Sequence, residues 1–109
     1  MSSDLAFSGD GSLRAALASD VHVRAFEGEM ILLHAKSGEY YALNEVGQDL
    51  VQDLEGGYTL EECARRLHDR YEVDWLTLCS DILELARELL SRTLIVPRTE
   101  RPADLEASS

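Results

Sequence analysis

Glu29-Met-Ile-Leu-Leu-His-Ala-Lys-Ser-Gly-Glu-Tyr-Tyr-Ala-Leu-Asn44 settles the architecture of this chain. Residues 30–35 and 39–43 read as two strands, because apolar and aromatic residues flank a cluster of turn formers at Lys36-Ser37-Gly38. The second strand runs straight into Asn44, whose side-chain oxygen can accept one of the first free N–H groups of a helix. It is therefore the last strand before a long helical run, and only residues 93–96 have strand character further on. A strand at the border of a sheet carries unpaired N–H and C=O groups, a hazard unless another chain docks there. The expectation is a docking site.

Working outward, Val21–Phe26 alternates in strand fashion and ends at the turn signal Glu27-Gly28. With the two strands above it makes a three-stranded antiparallel meander. Helical periodicity then takes over. Residues 44–54 bring Val46, Leu50, Val51 and Leu54 to one face and stop at Gly56-Gly57. Thr59-Leu-Glu-Glu62 is a capping box, in which hydroxyl and carboxylate each serve the other residue's backbone N–H. Leu60, Cys63, Ala64, Leu67 and Tyr71 give the second helix its inner face, and Asp74 caps a third helix reaching about Arg92.

The third helix is broad in its apolar face. At 100° per residue, Leu85, Leu78, Leu89, Ile82, Trp75, Ala86, Cys79, Leu90, Leu83 and Leu76 fall in succession around about half the cylinder. A surface helix needs a stripe only a little over about 100° wide. The surplus either lines a groove beside the sheet or is buried by the neighbouring elements. The fold class expected is α+β of winged helix-turn-helix type, the meander followed by three helices, over residues 20–96. Residues 1–19, with a weak apolar patch at Leu13, Ala16 and Leu17, read as a flexible arm or short helix, and 97–109 as a disordered tail.

Composition excludes several classes. At 109 residues and 45% hydrophobic the chain is one folded domain with a modest core. No apolar run approaches the roughly 20 residues of a membrane helix, and the first residues lack a secretory pattern, so the expected location is the cytoplasm. Twenty-one carboxylates against ten basic residues, a net charge of −11, should repel nucleic acid and anionic lipid. Cys63 and Cys79 occupy apolar helical positions and read as buried free thiols.

No enzyme signature stands up: there is no Gly-x-Gly-x-x-Gly, no phosphate loop and no Gly-x-Ser-x-Gly elbow. His22, His34 and His68 lie on three different elements without metal-site spacing, so neither a metal nor another cofactor is expected. Strands followed by three helices also invite comparison with DNA-binding winged helices. A helix entering the groove of DNA should be basic. The third helix instead carries Asp74, Asp81, Glu84 and Glu88 against Arg87 and Arg92.

Gly38-Glu-Tyr-Tyr-Ala-Leu-Asn-Glu-Val-Gly47, then Leu50, Leu54-Glu-Gly-Gly57, Thr59-Leu-Glu-Glu62, Tyr71-Glu-Val-Asp74 and Asp81-Ile82 resemble the PqqD-like proteins. These are the peptide chaperones, or precursor-recognition domains, of ribosomally made and modified peptides. The likeness spans residues 21–96. It implies a winged-helix-like domain without catalysis, which binds the leader of a precursor peptide and presents it to a modifying enzyme: a radical enzyme, a cyclase or a leader protease. The resemblance implies that the leader adds a strand along Glu39, Tyr40, Tyr41, Ala42 and Leu43. Its side chains would enter a groove walled by the third helix at Leu78, Asp81, Ile82 and Leu85, although the margin at Leu76 and Leu83 is as apolar.

Strand alternation puts Tyr41 and Leu43 on one face, expected in the core, and Tyr40 and Ala42 on the other. Asp81 or Glu84 would pair with a basic leader residue. Tyr41→Pro is expected to remove a strand donor. Two other readings stay open: a structural or regulatory subunit docked on a biosynthetic enzyme without peptide binding, and the DNA-binding winged helix disfavoured by charge. An exposed edge can also pair with a second copy, so a homodimer would be no surprise.

Overall fold

The computed structural model describes residues 10–98, so the expectations for 1–9 and 99–109 lie outside the described residues. A 3-10 turn at Asp10–Ser12 leads into β1 (Arg14–Leu17), then β2 (Val21–Phe26), β3 (Glu29–His34) and β4 (Tyr40–Leu43). Helices α1 (Glu45–Glu55), α2 (Leu60–Arg70) and α3 (Trp75–Ser91) follow, and β5 (Ile95–Arg98) comes last. The strand counted third from the sequence is β4. The protein is α+β: an antiparallel sheet in the order β2-β3-β4, followed by three helices.

Turn chemistry sets the register of the sheet. Glu27 and Gly28 take φ of 50° and 83°, the left-handed pair that a two-residue hairpin needs to match strand twist. Phe26 then faces Glu29 and Val21 faces His34, while Met30 faces Leu43 and Leu33 faces Tyr40. Residues directly opposite one another share a face. Leu32 and Leu43 are sealed at 0% and 1% exposure on the inner face, with Tyr41 half-buried beside them; Tyr40 and Ala42 are exposed on the outer one.

Each helix begins where its cap residue stands. Asn44 Oδ1 accepts the Gly47 N–H at 2.9 Å, and Asp74 Oδ2 accepts the Thr77 N–H at 3.1 Å. In the capping box the Glu62 N–H donates to Thr59 Oγ1 at 3.2 Å and the Thr59 N–H to Glu62 Oε1 at 2.9 Å. Leu50 and Leu54 of α1, Leu60 and Leu67 of α2, and Ile82 and Leu89 of α3 meet in one core. One carboxylate enters that core. Asp53 is buried but accepts from Arg66 Nε at 3.1 Å, and the same guanidinium lies 4.2 Å from the ring centroid of Tyr58.

Two expectations change at the ends of the described chain. Residues 14–17, read as arm or short helix, are β1, and Ala15 is fully buried. Pro97 and Arg98, read as tail, belong to β5, which pairs antiparallel with β1. The chain turns out of α3 through Thr93 at φ 56°, with the Leu94 N–H donating to the Leu89 carbonyl at 2.9 Å and the Thr93 N–H to that of Leu90 at 3.0 Å. This left-handed helix end returns the chain toward α1. The ribbon is held there by the Leu60 N–H on the Leu13 carbonyl at 2.8 Å and by Arg14 Nε on the Gly57 carbonyl at 3.1 Å. Such a pairing has no local signal, because Arg-Ala-Ala-Leu becomes a strand only when α3 delivers its partner.

Candidate functional site

The late segment with strand character therefore goes to β1 and leaves β4 at the border of its sheet. Among the described residues no strand pairs with its outer margin. The His34 N–H donates to the Glu39 carbonyl at 2.8 Å, which marks residues 34 and 39 as a hydrogen-bonded pair. Alternation along the ladder then turns the backbone groups of Tyr41 and Leu43 toward β3, and those of Tyr40 and Ala42 toward the open side. Replacing Tyr41 with Pro would thus remove a strand donor, as expected from sequence, but one of the protein's own ladder to β3 and not one that faces the open side. The outward donors are the N–H groups of Tyr40 and Ala42.

Beside that margin lies a groove of about 750 Å³ between β4, the start of α1 and one flank of α3, within the range of small-ligand and peptide sites. Of the nine residues nominated from sequence, Tyr41, Ala42, Leu43, Leu78, Asp81, Ile82 and Leu85 line it. Glu39 and Tyr40 do not. Tyr40 stands on the outer face, 63% exposed, while Glu39 Oε1 is bound by Arg92 Nη1 at 3.0 Å. The broad apolar face of α3 divides as follows: Leu78, Cys79, Ile82, Ala86 and Leu89 are buried, Leu85 reaches the groove half-buried, and Leu76 is exposed on the far margin.

Sequence reasoning missed the contributions of α1 and of the α2–α3 connection. Val46, Gly47 and Leu50 form the floor, and Tyr71 and Val73 close one end. Gly47 is closely packed: a Cβ would lie 3.1 Å from Leu43 Cδ2 and 3.3 Å from Leu85 Cδ2, so those side chains would have to give way. A glycine one turn after a helix cap was the available signal. Tyr71 donates its hydroxyl to Asp49 Oδ2 at 2.6 Å, and Arg70 Nη1 stands 3.3 Å from the same oxygen. That bond, then burial, pushes the phenol up to about 12, so the ring is fixed as a neutral wall.

The other end is closed electrostatically. Arg92 Nε binds Glu88 Oε2 at 2.7 Å, Nη1 binds Glu39, and the guanidinium lies 5.7 Å from the Tyr41 ring centroid. One cation so ties the end of α3 to the start of β4 across the groove. Among the described residues no group of three or more histidine, cysteine or carboxylate side chains could hold a metal ion. Nor is any helix there long and apolar enough to cross a membrane. Both cysteines are free and buried, and burial pushes Cys63 up to about 12 and Cys79 to about 11. They are poor nucleophiles.

Residues 29–95 match the family described as Coenzyme PQQ synthesis protein D (PqqD). Two solved structures are similar. One is TbiB1 in complex with the TbiA(beta) leader peptide, at 27% identity and a TM-score of 0.67, covering 78% of this chain and 99% of that one. The other is a lasso peptide synthetase B1 complexed with the leader peptide, at 30% identity and a TM-score of 0.69, covering 77% and 99%. No curated protein sequence matches the chain.

Proposed function

The chain belongs to the PqqD family, and from that premise we propose that it is a non-catalytic adaptor for a ribosomally made precursor peptide. It takes the leader segment as an added strand on β4 and presents the attached peptide to a modifying enzyme or leader protease. The observation that carries this reading is the vacant margin of β4 beside an apolar groove. Support comes from two structures, similar over nearly their whole length, in which relatives hold leader peptides.

Strand addition gives affinity that is blind to sequence, and the groove supplies discrimination. Each ladder bond nets only about 0.5–1.5 kcal/mol, whereas ordering a flexible leader costs about 2–5 kcal/mol. Backbone pairing at Tyr40 and Ala42 therefore does little better than offset that cost. Apolar leader residues buried against Leu78, Ile82 and Leu85 decide the outcome, with Tyr41 and Leu43 as the opposite wall. Glu39 acts indirectly, by holding Arg92 at the groove's end. Residues 20–96 with the β1–β5 ribbon form the recognition unit.

A precursor leader peptide, of the kind that the two related proteins hold, is the reagent for testing it. Titrated into isotope-labelled protein, it is expected to shift the amide resonances of 39–43 and of the groove flank of α3. Shifts confined to α2 or to the β1–β5 ribbon would reject strand addition.

A further inference from the structure

We propose that the groove selects a cationic leader, with its basic residue on the N-terminal side of the apolar anchor. This rests on the adaptor reading above and adds a substrate class to it. Glu29, Glu72, Asp81, Glu84 and Glu88 line the groove, and no lysine, arginine or histidine does. Glu88 is neutralised by Arg92. Among the described residues none of the other four is engaged in an ion pair. Three helix carboxylates elsewhere are matched, Asp53 with Arg66, Asp49 with Arg70 and Glu61 with Arg65.

Three of the four unmatched carboxylates, Glu29, Glu72 and Asp81, gather at one end, and Glu84 stands next to Leu85. Gly47, wedged between Leu43 and Leu85, marks the middle of the groove. From there Glu88 and Arg92 lie toward the start of β4, because Arg92 reaches Glu39 and Tyr41. Asp81 lies one turn the other way along α3, toward Val73. Glu29 precedes Met30, the partner of Leu43, so it too flanks the finish of β4. Glu72 belongs to the α2–α3 connection at that end.

The groove therefore runs from a neutralised end to an uncompensated negative one. An arriving cation gains attraction from these carboxylates without displacing a partner of the protein's own. Both strand pairs of the sheet are antiparallel. A leader added in the same sense has its N-terminal part beside Leu43 and Asn44. Its lysines or arginines meet Asp81 there and Glu84 nearer the middle, and its apolar anchor sits against Leu85 and Ile82.

The test is a display selection of strand-length random peptides against the full chain and against the double variant Asp81→Asn/Glu84→Gln. Both side chains are exposed, and circular dichroism checks that the variant is folded. Recovered peptides are mapped by amide shifts. The expected result is groove binders enriched in Lys or Arg N-terminal to an apolar residue. Their affinity should fall about fivefold in the double variant, as two solvent-screened pairs would give, and fall again with added salt. Groove binders without that enrichment, and indifferent to the double substitution, would overturn the charge selection while leaving strand addition standing. Enrichment on the C-terminal side would overturn the orientation. If no recovered peptide maps to β4 and α3, the adaptor reading itself fails and takes this inference with it.

Discussion

The side chain of Ala42 is a methyl group in solvent, yet its backbone N–H and C=O face the vacant margin of β4. Ala42→Pro removes one outward donor without touching the ladder to β3, a position where an edge strand accepts proline. Leader affinity should fall about tenfold, the value of one ladder bond with the obstruction of the ring added. The urea midpoint should move little. Tyr41→Pro is the matched control: its N–H serves β3, so this variant should lose stability outright. Equal leader affinity in Ala42→Pro and the parent chain would remove backbone pairing from the mechanism.

Among the elements, the exit from α3 decides most. Thr93 stands at φ 56°, where a β-branched residue is strained, and it makes the bend that sends Ile95–Arg98 to β1. Glycine adopts that conformation freely, at some cost in unfolded-chain entropy. Thr93→Gly should therefore stabilise the fold by about 0.5–1 kcal/mol, visible as a rise of a few degrees in Tm. A fall would mean that the threonine side chain makes a contact worth more than the strain. The same bend keeps β5 away from β4, and so leaves the groove's border unpaired.

For the whole molecule the groups with displaced titration all point the same way. The thiols of Cys63 and Cys79 are raised from 9.0 to about 12 and about 11, chiefly by burial, and the phenol of Tyr71 from 10.0 to about 12, chiefly by its bond to Asp49. Each folded value lies above the unfolded one, so the unfolded chain releases these protons first. Their contribution is complete below about pH 9 and is lost as pH climbs through about 11–12. Urea midpoints measured from pH 8 upward should start to fall near pH 9, and Tyr71→Phe should soften the descent at its upper end. A midpoint that stays level through this window would show the thiols and the phenol to titrate alike in both states.

Asn44, Thr59 and Asp74 could be read as helix starts from sequence because a cap is a local bargain between one side chain and a backbone N–H three residues on. The meander was legible for a similar reason: turn residues and alternation lie within a few positions of each other. The inner and outer faces of β4 and the breadth of the apolar face of α3 followed from periodicity, but the flank that walls the groove did not, because the margin at Leu76 and Leu83 is as apolar. What stayed hidden was every feature made by chain segments far apart. The β1–β5 ribbon, the floor supplied by Val46, Gly47 and Leu50, and the Arg92 bridge to Glu39 exist because tertiary packing brings distant residues together. Which carboxylates go unmatched was hidden likewise, since an ion pair is fixed by distance in space. Composition gave this chain its negative charge, and only the fold gathered part of that charge at one end of a groove.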